Sequence, residues 1–186
     1  MTVPADLDHR FRDAAARSGL LDAAFDVVET PLGDLLVAVT NRGLLRISYD
    51  SDPDKTLERV SQVVGASVMR APRAVDEARR ELEEYFVRRR RGFDLAVDLR
   101  GLTPFAVRVL DELARVPYGL TSTYGELAAL AGRPRAARAV GMVMNRNPVP
   151  IVLPCHRIVG ASGDLVGYAG GLERKVELLR LEGALL

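Results

Sequence analysis

Pro148, Pro150 and Pro154 fall within seven residues and lead into the only cysteine of a 186-residue chain. Each proline fixes its own φ and removes an amide donor, so the backbone here takes an irregular path. The segment reads Ile151-Val152-Leu153-Pro154-Cys155-His156-Arg157-Ile158-Val159 and places one of only two histidines directly after the cysteine. Neighbours in an extended strand point to opposite faces, so His156 reaches the Cys155 thiol only where the backbone turns. A free cysteine, with a reference pKa of about 8.5, is poorly ionised at neutral pH, and a reactive one needs a base, a cation or a helix N-terminus beside it. A lone cysteine is otherwise a small inert hydrophobe, so the flanking residues decide between the two.

With 48% hydrophobic residues the chain can bury one sizeable core or two small ones. Its apolar runs fall short of the roughly 18 to 20 residues that span a bilayer, and its first residues lack the pattern of a secretion signal. We therefore expect a soluble, cytoplasmic protein with no membrane partner. One cysteine forms no internal disulfide and supplies no zinc cluster. A net charge of +1 argues against bulk capture of nucleic acid and leaves that role to a local patch.

Residues 1–24 carry Leu7, Phe11, Ala14 and Ala15 at helical spacing and are expected to form a helical extension. Residues 25–30, 35–39 and 43–49 read as strands, the first two joined by a Pro31-Leu32-Gly33-Asp34 turn, and 54–64 and 75–87 as helices. Arg88-Arg89-Arg90-Arg91 ends the second helix, in a position that suits a solvated helix end better than a DNA contact. Residues 93–99 alternate and are expected to close a first domain over 25–100, leaving 101–186 as a second. The whole is read as an α+β protein: a small antiparallel sheet with helices, then a mostly helical domain.

In that second domain, residues 105–116 form a helix with Val109, Leu110 and Leu113 inward, ended by Pro117-Tyr118-Gly119. Thr123 and Glu126 form a capping box that starts a helix over 124–131, and Gly132-Arg133-Pro134-Arg135 turns into another over 136–145. This helix-turn-helix candidate carries Ala136, Ala137, Ala139 and Gly141 as a face almost without side chains, with Arg138 projecting near its start. Between 119 and 147, Arg133, Arg135, Arg138 and Arg146 stand against the single acid Glu126. That is the positive patch which the whole-chain charge conceals.

The order and spacing of Pro117-Tyr118-Gly119, Thr123-Tyr124-Gly125-Glu126, Ala136 to Gly141, Asn147-Pro148, Pro154-Cys155-His156-Arg157 and Ser162 to Leu172 resemble the O6-alkylguanine-DNA alkyltransferase family. The likeness is dense from Thr103 to Gly183 and weaker from Phe25 to Arg100. It implies single-turnover repair: Cys155 takes the alkyl group from O6-alkylguanine, and less efficiently from O4-alkylthymine, in double-stranded DNA. It further implies that His156 removes the thiol proton through a water and is oriented by Glu182, while Tyr124 and the Ala169 amide assist departure of the guanine. The carbonyls of Cys155 and Ile158 would read the exocyclic amine, and Asn147, Pro150 and Tyr168 would shape the pocket. Ala137 and Gly141 would let the helix approach the minor groove, Arg135 would bind phosphate, Tyr124 would help rotate the phosphate of the target nucleotide, and Arg138 would fill the stack left by the everted nucleotide. A monomer in solution is expected, with cooperativity on DNA left open. Three rivals are a damage sensor of the same fold, a transcription regulator and a thiol hydrolase. The sensors lack the cysteine, and a sequence-reading regulator calls for a polar recognition helix that is absent here. A hydrolase would turn over.

Overall fold

The computed structural model describes Arg12, Ala14, Ala15 and residues 18–49 and 52–185. Most of the expected N-terminal helix therefore lies outside the described residues. The chain divides into two compact units, one of residues 1–87 and 94–100 and the other of residues 88–93 and 101–186.

The first unit is built on a sheet of order β3-β2-β1-β4, with β1 Ala23–Val28, β2 Leu35–Thr40, β3 Gly43–Ser48 and β4 Val68–Arg70. β1 pairs with β2 and β2 with β3 in antiparallel register, whereas β4 lies parallel to β1. The sheet is thus mixed rather than antiparallel. At three residues β4 is too short to show a period-two pattern, and only its pairing partner defines it. Residues 93–99, whose alternation suits a strand, form no ladder. They make one isolated bridge, Val97 to Leu44, and Asp98 instead accepts hydrogen bonds from Thr40 Oγ1 and Arg100 Nε at 2.7 Å each.

Helix α1, Pro53–Val64, is capped by Asp52, whose side chain accepts the Lys55 amide at 3.2 Å, and it has proline in its first turn. It buries Val60 in a cluster with Ala23, Leu36, Ala38 and Leu45. Helix α2, Asp76–Phe86, stops before the arginine run, and Arg88 takes the left-handed φ of 59°.

The second unit carries α3 Pro104–Ala114, α4 Tyr124–Leu130, α5 Ala137–Asn145 and α6 Leu172–Glu182. Thr103 caps α3, which buries Val109, Leu110 and Leu113. The capping box of α4 is complete: Glu126 N donates to Thr123 Oγ1 at 3.2 Å and Thr123 N to Glu126 Oε2 at 2.8 Å. Gly132, at φ 76°, supplies the left-handed residue that ends α4 and lets the chain enter α5. Two short parallel strands, β5 Ser122–Thr123 and β6 Ile158–Val159, tie the start of α4 to the residues just after the cysteine. No helix among the described residues is long and apolar enough to cross a membrane.

Candidate active site

Cys155, His156 and Arg157 form a single 3₁₀ turn, with all three side chains buried. This is the change of direction that neighbouring residues need if they are to act together. The segment leading into the turn contains a strained residue. Ile151 is buried at φ 76°, a conformation that costs a β-branched side chain about 1–3 kcal/mol. Asn147 stabilises the bend around it: its Nδ2 donates to the Leu153 carbonyl at 2.8 Å and its Oδ1 accepts the Val149 amide at 3.1 Å. Pro150 is buried in the same bend and bridges to Leu153.

Behind the turn lies a buried hydrogen-bond network centred on Glu182. His156 Nε2 sits 3.0 Å from Glu182 Oε1, while Arg157 donates through Nη2 to Oε1 at 2.7 Å and through Nε to Oε2 at 2.9 Å. The Gly119 amide adds a bond to Oε2 at 3.1 Å. Burial alone would raise the Glu182 pKa, but His156 and Arg157 outweigh it and bring it down to about 2. The carboxylate is therefore ionised at neutral pH and accepts the His156 Nε2 proton. Burial lowers the pKa of His156, with Arg157 and Lys175 adding to it and Glu182 opposing. A neutral imidazole with its proton on Nε2 has a lone pair on Nδ1. That nitrogen is buried and has no hydrogen-bond partner among the described residues.

Burial pushes the Cys155 thiol up to about 11, against the opposing pull of Asn147, Lys175 and nearby backbone amides. The resting thiol thus holds its proton at neutral pH. Lys175 is itself fully buried, and its Nζ donates to the Ile158 carbonyl at 2.5 Å and the Val166 carbonyl at 2.9 Å. Val166 O also accepts the Tyr124 hydroxyl at 3.3 Å. Burial raises the Tyr124 pKa, and Cys155 adds to the shift. The Lys175 ammonium and the Tyr124 hydroxyl thus share the Val166 carbonyl, and the Lys175 charge pulls the Cys155 pKa downward.

The remaining residues singled out in the sequence lie around this centre. Gly141 of α5 lies against the Tyr124 ring, where a Cβ would meet ring carbons at 3.8 Å. Ala137 opens α5. Arg135 and Arg138 are exposed and stand apart from the buried network, whereas Arg133 stacks over the Phe105 ring at 4.9 Å. Tyr168 is half-buried and Ala169 exposed, in the glycine-rich loop between β6 and α6. Among the described residues no cluster of three or more His, Cys, Asp or Glu could hold a metal ion.

Lys175, Tyr118 and Gly119 escaped the sequence reading as members of this network. One signal was available: Lys175, Leu178, Leu179 and Glu182 follow helical i, i+3, i+4, i+7 spacing, so both ionisable residues share the apolar face of α6. Glu182 is consequently buried rather than at an exposed helix end.

Residues 24–99 match the family model of the 6-O-methylguanine DNA methyltransferase ribonuclease-like domain, and residues 104–184 that of its DNA binding domain. A methylated-DNA–protein-cysteine methyltransferase of Methanosarcina acetivorans is 41% identical over 160 residues, or 86% of this chain and 98% of the relative. Mycobacterium tuberculosis OGT, solved in complex with DNA, has a TM-score of 0.76 at 38% identity, covering 87% of this chain and 93% of that one. The O6-methylguanine-DNA methyltransferase from Pyrococcus kodakaraensis has a TM-score of 0.64 at 25% identity, covering 87% and 99%. With nearly the whole of a relative matched and a buried cysteine network in place, the chain belongs to the methylated-DNA–protein-cysteine methyltransferase family.

Proposed function

We propose that the protein repairs DNA by taking the alkyl group of O6-alkylguanine, and less efficiently of O4-alkylthymine, onto Cys155 in a single irreversible turnover. The observation that carries this reading is the buried Cys155 thiol followed directly by a buried imidazole whose Nδ1 is left open while Glu182, braced by Arg157, holds its Nε2. In the displacement the Cys155 sulfur bonds to the alkyl carbon as the carbon–O6 bond breaks, and the electron pair stays with the guanine. The thiol proton passes through a water to His156 Nδ1; the guanine anion takes one proton from solvent water at a ring nitrogen, and the imidazolium returns its extra proton to solvent, so the proton lost by the thiol balances the one gained by guanine. A thiol at about 11 does not ionise in the resting state, so its proton is lost within the bound complex. Hydrogen bonds from the Tyr124 hydroxyl to the guanine N3 and from the Ala169 amide to O6 stabilise the charge as it develops. The carbonyls of Cys155 and Ile158 read the exocyclic amine, and Lys175 fixes the latter carbonyl in place.

A base inside a duplex cannot present its O6-alkyl carbon to a thiol, so the nucleotide must leave the stack. Ala137 and Gly141 let α5 approach the minor groove, Arg135 contacts phosphate and Arg138 occupies the gap. Residues 101–186 thus form the DNA-binding and transfer domain, residues 25–100 a supporting domain, and residues 1–24 an extension. The working form is a cytoplasmic monomer that needs no cofactor. Intact-mass measurement after incubation with a duplex containing O6-methylguanine tests the reading. One methyl group per chain, on Cys155, is expected, and product beyond one equivalent would overturn it.

A further inference from the structure

The turn over residues 116–119 sends its polar groups into the Glu182 network, and the reaction described above gives it no task. The Val116 carbonyl accepts Arg157 Nη1 at 2.6 Å, the Tyr118 hydroxyl donates to the Leu181 carbonyl at 3.1 Å, and the Gly119 amide donates to Glu182 Oε2 at 3.1 Å. Leu181 is the penultimate residue of α6, so its carbonyl belongs to the last turn and lacks a helical partner. Tyr118 fills that vacancy one residue before Glu182. Its ring also lies beside the Arg157 guanidinium, 5.8 Å from carbon to centroid, and beside Arg91 at the same distance. Arg91 is thereby drawn from the arginine run into the second unit. Burial and the Glu182 charge both raise the Tyr118 pKa, in keeping with this closeness.

Glu182 accepts at least four hydrogen bonds, two on each oxygen: His156 and Arg157 on Oε1, Arg157 and Gly119 on Oε2. Arg157 alone could hold the carboxylate in more than one orientation, because its fork also binds a single oxygen end-on. Without the Gly119 bond, rotation of the carboxylate towards Arg157 would leave His156 Nε2 unpartnered, and the imidazole would lose its preference for the tautomer with an open Nδ1. Gly119 suits this position for two reasons. Its φ is 77°, and a Cβ there would stand 3.0 Å from the Glu182 carbonyl oxygen.

We propose that Tyr118 and Gly119 are positioning residues for alkyl transfer, holding Glu182 and Arg157 in the orientation that keeps the His156 proton on Nε2 and leaves Nδ1 as the base. The proposal rests on Cys155 being the alkyl acceptor with His156 as its base. Its test uses the full chain and the free base O6-benzylguanine, which requires no DNA. Single-turnover kinetics give the maximal transfer rate and the half-saturating base concentration for the parent, Tyr118→Phe and Gly119→Ala. Nitrogen-15 NMR of the ring nitrogens reports the tautomer, with the His156 signals assigned by His156→Ala.

Both variants are expected to lower the maximal rate roughly fivefold or more, as small misplacements of a catalytic group do. The half-saturating concentration should stay within about twofold, because neither residue meets the base, and the Nδ1–H tautomer should appear. A maximal rate within about twofold of the parent in folded variants, or a loss with His156 still wholly Nε2–H, would overturn the proposal. Should Gly119→Ala fail to fold, Tyr118→Phe, which removes one oxygen and keeps the ring, decides the matter. A parent protein that takes up no benzyl group would instead sink the alkyl-transfer reading itself.

Discussion

Each unit of the protein buries a carboxylate against arginine, and the two differ in what completes the network. In the first unit Asp26 accepts Arg70 Nε and Arg79 Nη2, both at 2.7 Å. The Arg70 side chain is 56% exposed, so water screens part of that pair. In the second, Glu182 is sealed from solvent and shares its oxygens between Arg157 and His156, the latter with an unpartnered nitrogen. The Asp26 network is closed by cations and can only hold the sheet. The Glu182 network is closed at His156 Nε2 and open at Nδ1, on the residue that directly follows the buried thiol. Buried ion pairs alone therefore do not mark a reactive site; the open atom does.

The largest expected effect sets the two carboxylates directly against each other. Glu182→Gln leaves Arg157 buried without its counter-ion, which should destabilise the protein by about 3–5 kcal/mol and slow alkyl transfer by roughly 100-fold or more. Asp26→Asn should cost about 1 kcal/mol, given partners that reach water, and leave the transfer rate within about twofold. Denaturant unfolding and single-turnover transfer on both variants check this. Similar rate losses in the two would break the comparison.

The second prediction is a pH dependence of stability. Glu182 has its folded pKa depressed to about 2 from the usual carboxylate value of 4.5. A depressed carboxylate contributes stability that is fully present above the unfolded pKa and lost as pH falls through the folded one. The contribution, on the order of 3 kcal/mol, should therefore disappear between about pH 4.5 and 2. Unfolding free energies measured across that window should fall more steeply for the parent than for Glu182→Gln.

A third expected effect concerns the open side of the network. With its pKa pushed up to about 11 from a reference of about 8.5, Cys155 should carry roughly 300-fold less thiolate at pH 7 than a free cysteine and react correspondingly more slowly with a small electrophile. Its rate of labelling by iodoacetamide should climb until about pH 11. Fast labelling at neutral pH would mean that the resting thiol is already ionised and that the network is not poised as described.

The smallest effect separates base extrusion from chemistry. Arg138→Ala should slow repair of duplex O6-methylguanine by roughly tenfold, about 1.4 kcal/mol at the barrier, because filling the vacated stack offsets part of the flipping cost. Reaction with free O6-benzylguanine should be almost unchanged, since Arg138 is exposed and outside the buried network. Equal losses on both substrates would place Arg138 in support of the pocket.

Much of the second unit was legible in advance because its signals are local. The Thr123 and Glu126 side chains meet amides three residues away, and Pro104 and Thr103 announce the start of α3. The tetrapeptide Pro154-Cys155-His156-Arg157 likewise carries its own turn. The first unit was less legible where pairing is non-local. β4 is a strand only because β1 lies alongside it, and residues 93–99 alternate without finding a ladder.

The sequence by itself therefore determined the capping box of α4, the boundaries of α1 to α5 to within about two residues and which residue supplies the thiol, since each depends on groups a few positions apart; α6 was not read from it. Only the tertiary structure decided how the buried charges are satisfied. Glu182 lies 26 positions from His156 and 63 from Gly119, and Lys175 lies 17 from Ile158. A buried charge is tolerated only where donors or acceptors from several elements converge on it, and such convergence comes from packing α6 against the cysteine turn and the 116–119 turn, not from any local pattern in the chain.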